Sequence, residues 1–162
     1  MGKVIASASM SLDGYIAKDD NTIGRLFDWL QNGDVEIPTA SPGITLHLGR
    51  ASAEHWRRWT ADLGALVCGR TLFDVTDGVA SAVARAREVA GDRDVAVTAG
   101  TIARQCLELG LLDEVAVDLV PVVMGRGRPF FGELAQDDVP LGDPVVCVQG
   151  DRVTHLVFPV VR

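Results

Sequence analysis

The chain has 162 residues, of which 48% are apolar and 23% charged, and it carries a net charge of −7. That length fits one domain around one core, and the excess of acid argues against a nucleic-acid or acidic-membrane partner. No apolar stretch reaches the length of a membrane span. The start, Met1-Gly-Lys-Val-Ile-Ala6, enters a strand directly and carries no signal peptide. The cysteines Cys68, Cys106 and Cys147 are isolated in apolar runs and read as reduced core residues of a cytoplasmic protein. They share no metal-ligand spacing with the histidines, and no metal site is expected.

In chain order, strands and helices alternate. Lys3 to Ser9 is a strand, followed by a turn and a short extended piece over Ser11 to Ala17. Ile23 to Leu30 reads as a short amphipathic helix, and Gln31 to Gly49, with its prolines and glycines, as a long loop. Ser52 is an N-cap candidate for a helix reaching about Leu63. Leu66 to Cys68 reads as a buried strand. Val79 to Ala90 is a helix with Val79, Val83, Ala86 and Ala90 on one face and Gly91 as its stop. Val95 to Thr98 is a strand, and Ile102 to Leu109 a helix ended by Gly110. Glu114 to Val120 is a strand broken by Pro121. Val145 to Val148 and Thr154 to Val161 form a hairpin across Gly150-Asp151. The alternation implies a mostly parallel sheet with an antiparallel end.

Two segments carry the functional signal. In each, an apolar strand turns at glycine into a helix: once at Gly69, Arg70 and Thr71, and again at Ala99, Gly100, Thr101 and Ile102. Such a turn aims backbone N–H groups and the positive end of a helix dipole at one spot, which suits a phosphate. Such turns also serve as ordinary connections in α/β proteins, and neither segment is a GxGxxG or a P-loop. Two turns, one with the fixed cation Arg70, fit a dinucleotide.

Three stretches occur in order: Ser11-Leu-Asp-Gly-Tyr-Ile-Ala17, Gly64-Ala-Leu-Val-Cys-Gly-Arg-Thr71 and Gly110-Leu-Leu-Asp-Glu-Val-Ala-Val-Asp-Leu-Val-Pro-Val-Val-Met-Gly125. Together they resemble the dihydrofolate reductase-like superfamily, in the branch of the C-terminal reductase domain of RibD and of stand-alone bacterial proteins. The resemblance spans nearly all of residues 1–162. It implies a single α/β domain: a three-layer fold with a mostly parallel central sheet and an antiparallel C-terminal hairpin. It also implies an NADPH-dependent reductase of a small pteridine- or pyrimidine-like heterocycle, working as a homodimer in the cytoplasm. Gly69, Arg70 and Thr71 are implied to hold cofactor phosphate, and Ala99, Gly100, Thr101 and Ile102 the pyrophosphate. Asp13, Gly14, Tyr15 and Ile16 correspond to the loop over the nicotinamide. Asp28 is the implied substrate-orienting or proton-relaying acid, against the plainer reading of an exposed helix charge. Asp13 reads equally as a turn-former. Trp29, Trp56 and Trp59 are pocket-wall or core aromatics, and His47 and His55 surface residues.

One departure stands out. The family has a further loop and strand after the Gly-Arg-Thr helix, but here Leu72 to Gly78 runs straight into the Val79 helix. A missing internal strand would leave buried backbone unpaired, so a strand gap is expected near Thr76 to Val79. That absence, with Ala99 in place of a second glycine, keeps open an alternative: a degenerate, non-catalytic member that binds nucleotide weakly.

Overall fold

The computed structural model describes residues 2–68, 78–135 and 138–161. A six-stranded sheet organises them. In chain order the elements are β1 (Val4–Ser11), β2 (Tyr15–Ala17), a 3-10 turn (Asp28–Leu30), β3 (Val35–Pro38), β4 (Thr45–Leu48) and α1 (Arg50–Asp62). There follow β5 (Leu63–Val67), α2 (Val79–Ala90), β6 (Asp94–Thr98), α3 (Thr101–Glu108) and β7 (Glu114–Val120). The last are β8 (Arg128–Pro129), β9 (Val146–Gly150) and β10 (Val153–Pro159). The main sheet runs β5-β6-β1-β7-β10-β9. Its first four strands are parallel, and β10 and β9 close it antiparallel. This is the expected α/β architecture with an antiparallel C-terminal hairpin.

The layers follow from side-chain alternation along β1. Val4 and Ala6 face a core that includes Val79 and Val83 of α2 and Ala103 and Cys106 of α3. Ile5 faces the opposite way, toward Ala116, Val157 and the Trp59 of α1. α1 therefore covers one face and α2 with α3 the other. No described helix is long and apolar enough to cross a membrane.

Several expectations are corrected. Ile23 to Leu30 is not an amphipathic helix; only Asp28–Leu30 winds, as a 3-10 turn. Leu26 and Trp29 are nevertheless both buried, because a three-residue period puts them on one side. Gln31 to Gly49 is not all loop. Val35 pairs with Leu48 and Ile37 with Leu46 in an antiparallel hairpin, whose period-two apolar residues bury against Trp29, Ala53 and Trp56. Ser52 is not the N-cap of α1. Gly49 is, without a side-chain cap, and Ser52 lies buried in the first turn. Cys106 is buried, but Cys68 and Cys147 are exposed. Both lie at or beside outer strands of the described sheet.

β5 differs most from expectation. It pairs directly with β6, Leu66 opposite Ala96 and Val67 opposite Val97, so no internal strand is missing between them. It is the outer strand of the described sheet, and Leu66 is 54% exposed. Gly69 to Asp77, with Arg70, Thr71 and the Thr76-Asp77 half of the Thr76-to-Val79 join, lie outside the described residues.

Edge and core positions should respond differently to truncation. Leu112 is 1% exposed, so Leu112→Ala should cost about 2–5 kcal/mol in urea unfolding. Leu66→Ala should stay within about 0.5 kcal/mol of the parent; a loss at Leu66 equal to that at Leu112 would return β5 to the interior.

Candidate active-site crevice

Connections leave the middle of the sheet in opposite directions. From β1 the chain crosses by way of α1 to β5 at one edge; from β6 it crosses by way of α3 to β7 on the other side of β1. β1 and β6 are neighbours, paired as far as Ser7 opposite Thr98, so the segments that follow them start side by side at this switch point. Ligands of open α/β sheets bind at such a switch point.

The two segments at its mouth are the ones singled out in the sequence. After β1 come Leu12, Asp13 and Gly14; after β6 come Ala99, Gly100 and Thr101. Phe130 laces them together, its amide donating to Gly14 O at 3.0 Å and its carbonyl accepting from Gly100 N at 2.6 Å. Gly100 sits at φ +89°, ψ −143°, a region open essentially to glycine alone. A Cβ built there would meet only Ile16 Cδ1, at 3.9 Å. Gly14, Ile16, Gly100 and the start of α3 thus share one locale, with Tyr15 paired opposite Pro129 on β8.

α3 begins at Thr101 with Gly100 as its N-cap, and its first turn holds no acid. Arg104 N makes the first intrahelical bond, to Gly100 O. The amides of Thr101, Ile102 and Ala103 therefore have no partner within the helix. That donor set, beside the exposed Thr101, fits an anionic cofactor group. Gly100 N itself is spent on Phe130.

Asp13 is a structural pin. Its carboxylate accepts from Ser11 Oγ at 2.6 Å, Gly125 N at 2.7 Å and Met124 N at 3.1 Å. It thereby ties the loop after β1 to the loop after β7. These bonds, led by that of Ser11, hold its pKa down from 3.8 to about 2.

A polar row that the sequence reading did not assemble crosses the α1 face of the sheet. Ser9, Asp118 and His155 stand opposite one another on β1, β7 and β10. His155, 1% exposed, has Nδ1 2.7 Å from Asp118 Oδ1 and Nε2 3.0 Å from Ser52 Oγ. His55 of α1 stacks on it, centroids 4.4 Å apart at 21°. Beside the row lies a cavity of about 120 Å³ lined by Ser7, His55, Trp56, Trp59, Ala116, Asp118 and Leu156. His55 is thus half-buried rather than a surface residue. Trp56 and Trp59 are pocket walls, whereas Trp29 is core and donates to Ser9 Oγ at 3.2 Å. Asp28 is exposed on the 3-10 turn and is not among the residues lining this cavity. The signal for the missed residues was period-two: polar Asp118 and His155 each interrupt an apolar strand at an inward position.

His55, Asp118 and His155 bring three potential ligand atoms within 4.8 Å of one another, contrary to the expectation from spacing. Stacked rings, however, hold their in-plane lone pairs in separate planes and do not aim them at a single ion.

No family model matches the chain. The uncharacterised protein YwjB of Bacillus subtilis is 24% identical over 150 residues, covering 83% of this chain and 86% of that one. Among solved structures, one named for riboflavin biosynthesis from a Shewanella species superposes with a TM-score of 0.62 at 18% identity, over 99% of both chains. A dihydrofolate reductase of Enterococcus faecalis complexed with NADP(H) superposes with a TM-score of 0.52 at 13% identity, over 99% of this chain and 98% of that one. This is the dihydrofolate reductase-like fold. It also matches, with a TM-score of 0.60 at 12% identity, the diaminohydroxyphosphoribosylaminopyrimidine deaminase/5-amino-6-(5-phosphoribosylamino)uracil reductase of Thermotoga maritima. There the match covers 99% of this chain and 57% of the other. The dihydrofolate reductase-like fold is thus present in the form that RibD-type reductase domains share.

The Asp13 pin gives a pH dependence with a definite sign. A carboxylate with a depressed pKa stabilises above its unfolded value and loses that contribution as pH falls through its folded value. Unfolding free energy should therefore decline between about pH 4 and pH 2. Asp13→Asn, which has nothing to titrate there, should show a shallower decline in urea titrations across that window.

Proposed function

We propose that this chain, acting as one domain, is an NADPH-dependent reductase that transfers hydride to a small pteridine- or pyrimidine-like heterocycle. The observation that carries this reading is the β1/β6 switch point, with Gly14 and Gly100 laced through Phe130. Two of the neighbours of this fold are reductases by name, and one of them was solved with NADP(H). The cofactor supplies the hydride; the protein's task is to hold and orient two rings and exclude water. Thr101, Ile102 and Gly100 would hold the pyrophosphate at the start of α3, with Ala99 on the strand side. Ile16, Gly14 and Tyr15 would cover the nicotinamide, their loop held in place by Asp13. Gly69, Arg70 and Thr71 would take the remaining phosphate; they lie outside the described residues.

Two carboxylates compete for the substrate. Asp28 is the one the family resemblance points to, and it is exposed. Asp118 lines a cavity. If Asp28 orients the substrate, Asp28→Asn lowers turnover while Asp118→Asn does not.

One observation favours the weaker-binding alternative. Gly100 N, the first amide a pyrophosphate would meet, already donates to Phe130. A nucleotide must then rely on the amides that follow it.

We also propose a cytoplasmic homodimer. The apolar residues of β7 are used by this chain's own core, so they do not argue for a partner. Among the described C-terminal strands, the outer strand β9, beside Val145 at 62% exposed, offers an edge for a second copy. Light scattering at micromolar concentration should give twice the chain mass.

Cofactor titration tests the central reading. NADPH should bind about tenfold or more tightly than NADH, a difference of roughly 1.4 kcal/mol or more, and Arg70→Ala should remove the preference. Gly100→Ala should lose NADPH while destabilising the fold by about 1–3 kcal/mol, because its dihedrals exclude a side chain. Equal affinity for both nucleotides, or normal binding by Gly100→Ala, would sink the cofactor assignment.

A further inference from the structure

Residues 130–135 form no helix or strand, yet they are tied to α3 from its N-cap to its last residue. Gly100, Arg104 and Glu108 follow one another at one-turn intervals and so share a row along that helix. The 130–135 strap meets them in the same order. Phe130 O accepts from Gly100 N at 2.6 Å. Glu133 O accepts from Arg104 Nη1 at 3.2 Å. Ala135 N donates to Glu108 Oε1 at 3.1 Å. Between these bonds Phe130 is 5% exposed, and Phe131 and Leu134 pack on the same core as Ile102.

The two side chains that make this attachment are both locally unfavourable. Arg104 Nε is buried and, among the described residues, has no hydrogen-bond partner. An unpaired buried N–H costs stability, and an unbranched apolar side chain would follow the same path without that cost. Glu108 ends α3, and no base lies in that last turn. A negative charge there opposes the helix dipole. What the two residues have in common is the strap.

The strap matters most at its first bond. The start of α3 offers the amides of Thr101, Ile102 and Ala103 to an anion, and Gly100 N is the donor next to them. Phe130 O already occupies that donor. A phosphate oxygen makes a stronger, charge-assisted bond to the same N–H, but it must first displace the carbonyl.

We propose that Arg104 and Glu108 are positioning residues that set nucleotide affinity: by tying the strap along α3 they keep Phe130 O on Gly100 N–H, and a phosphate at the start of α3 competes with that carbonyl for the donor. This rests on the cofactor reading given above. Neither side chain touches the nucleotide; each acts through the Phe130 peptide.

NADPH binding to the full chain is measured by titration calorimetry, with urea unfolding alongside. Arg104→Met keeps an apolar stem and removes both the orphan N–H and the bond to Glu133 O. Glu108→Ala removes the acceptor for Ala135 N. Each should bind NADPH about three- to tenfold more tightly than the parent. For Arg104→Met the sign is diagnostic, because loss of a cation would by charge alone weaken binding of an anion. Glu108→Gln loses the charge but keeps an oxygen for Ala135 N, so it should return affinity to that of the parent. A gain that glutamine reverses is not what a merely structural residue gives. Equal or weaker binding in either variant that folds overturns the proposal, as does Glu108→Gln behaving like Glu108→Ala; if the parent binds NADPH, the reductase reading still stands. Binding by the two loosened variants without detectable binding by the parent supports it. No binding by the parent or by either folded variant overturns the proposal and the cofactor reading together.

Discussion

The central strand β1 has to satisfy two faces of opposite chemistry, and the rest of the molecule is arranged around that requirement. One face carries Val4 and Ala6, and packs against α2 and α3. The other carries Ile5, then Ser7, Ser9 and Ser11 at every second position. Buried hydroxyls must be paired. Ser9, 7% exposed, accepts from the Trp29 indole. Ser11, fully buried, donates to Asp13 and accepts from Tyr15 N. Ser7 opens into the cavity. The stripe is thus polar where the strand approaches its carboxyl end and apolar where it begins.

That division fixes where α1 can lie. Its apolar residues, Ala53 and Trp56, meet the β3–β4 hairpin and Trp29, while Trp59 reaches Ile5 and Val157. Between these contacts the helix presents Ser52 and His55 to His155. The approach is close at one point: a Cβ on Gly150 would collide with Ser52 Oγ. Glycine there lets the first turn of α1 descend far enough for Ser52 to reach the imidazole. The cavity remains because the polar row below α1 is satisfied sideways, strand to strand, rather than filled from above.

The fold was legible because it rests on local rules. Period-two and period-3.6 apolar patterns marked β1, β6, β7, α2 and α3, and Gly91 and Gly110 ended helices as their positive φ allows. The misreadings have physical causes. Prolines and glycines between residues 31 and 49 masked a hairpin whose alternation was present in Val35, Ile37, Leu46 and Leu48. An apolar β5 reads as an interior strand, because a strand's sequence does not record how many neighbours it has. The cofactor segments were legible as glycine-containing strand-to-helix turns. The Asp118–His155–Ser52 network was not, since its members lie 37 and 103 residues apart and meet only through the register of β7 on β10 and the approach of α1 over Gly150.

The two candidate sites lie on opposite sides of the same constraint. Gly100 and the start of α3 belong to the helix layer that packs on the apolar face of β1, where backbone amides are the available donors. Asp118, His55 and Ser7 belong to the α1 face, where side chains supply the chemistry. A backbone-lined site suits an anion, because amides at a helix start carry partial positive charge without a titratable group. A cavity lined by carboxylate and imidazole offers titratable hydrogen-bonding groups instead. The carboxyl end of β1 is where the two meet: Ser9 faces Asp118 in register, and the chain then turns within five residues to Gly14, bonded through Phe130 to Gly100. One strand end thus joins a locale lined by backbone donors to one lined by titratable side chains.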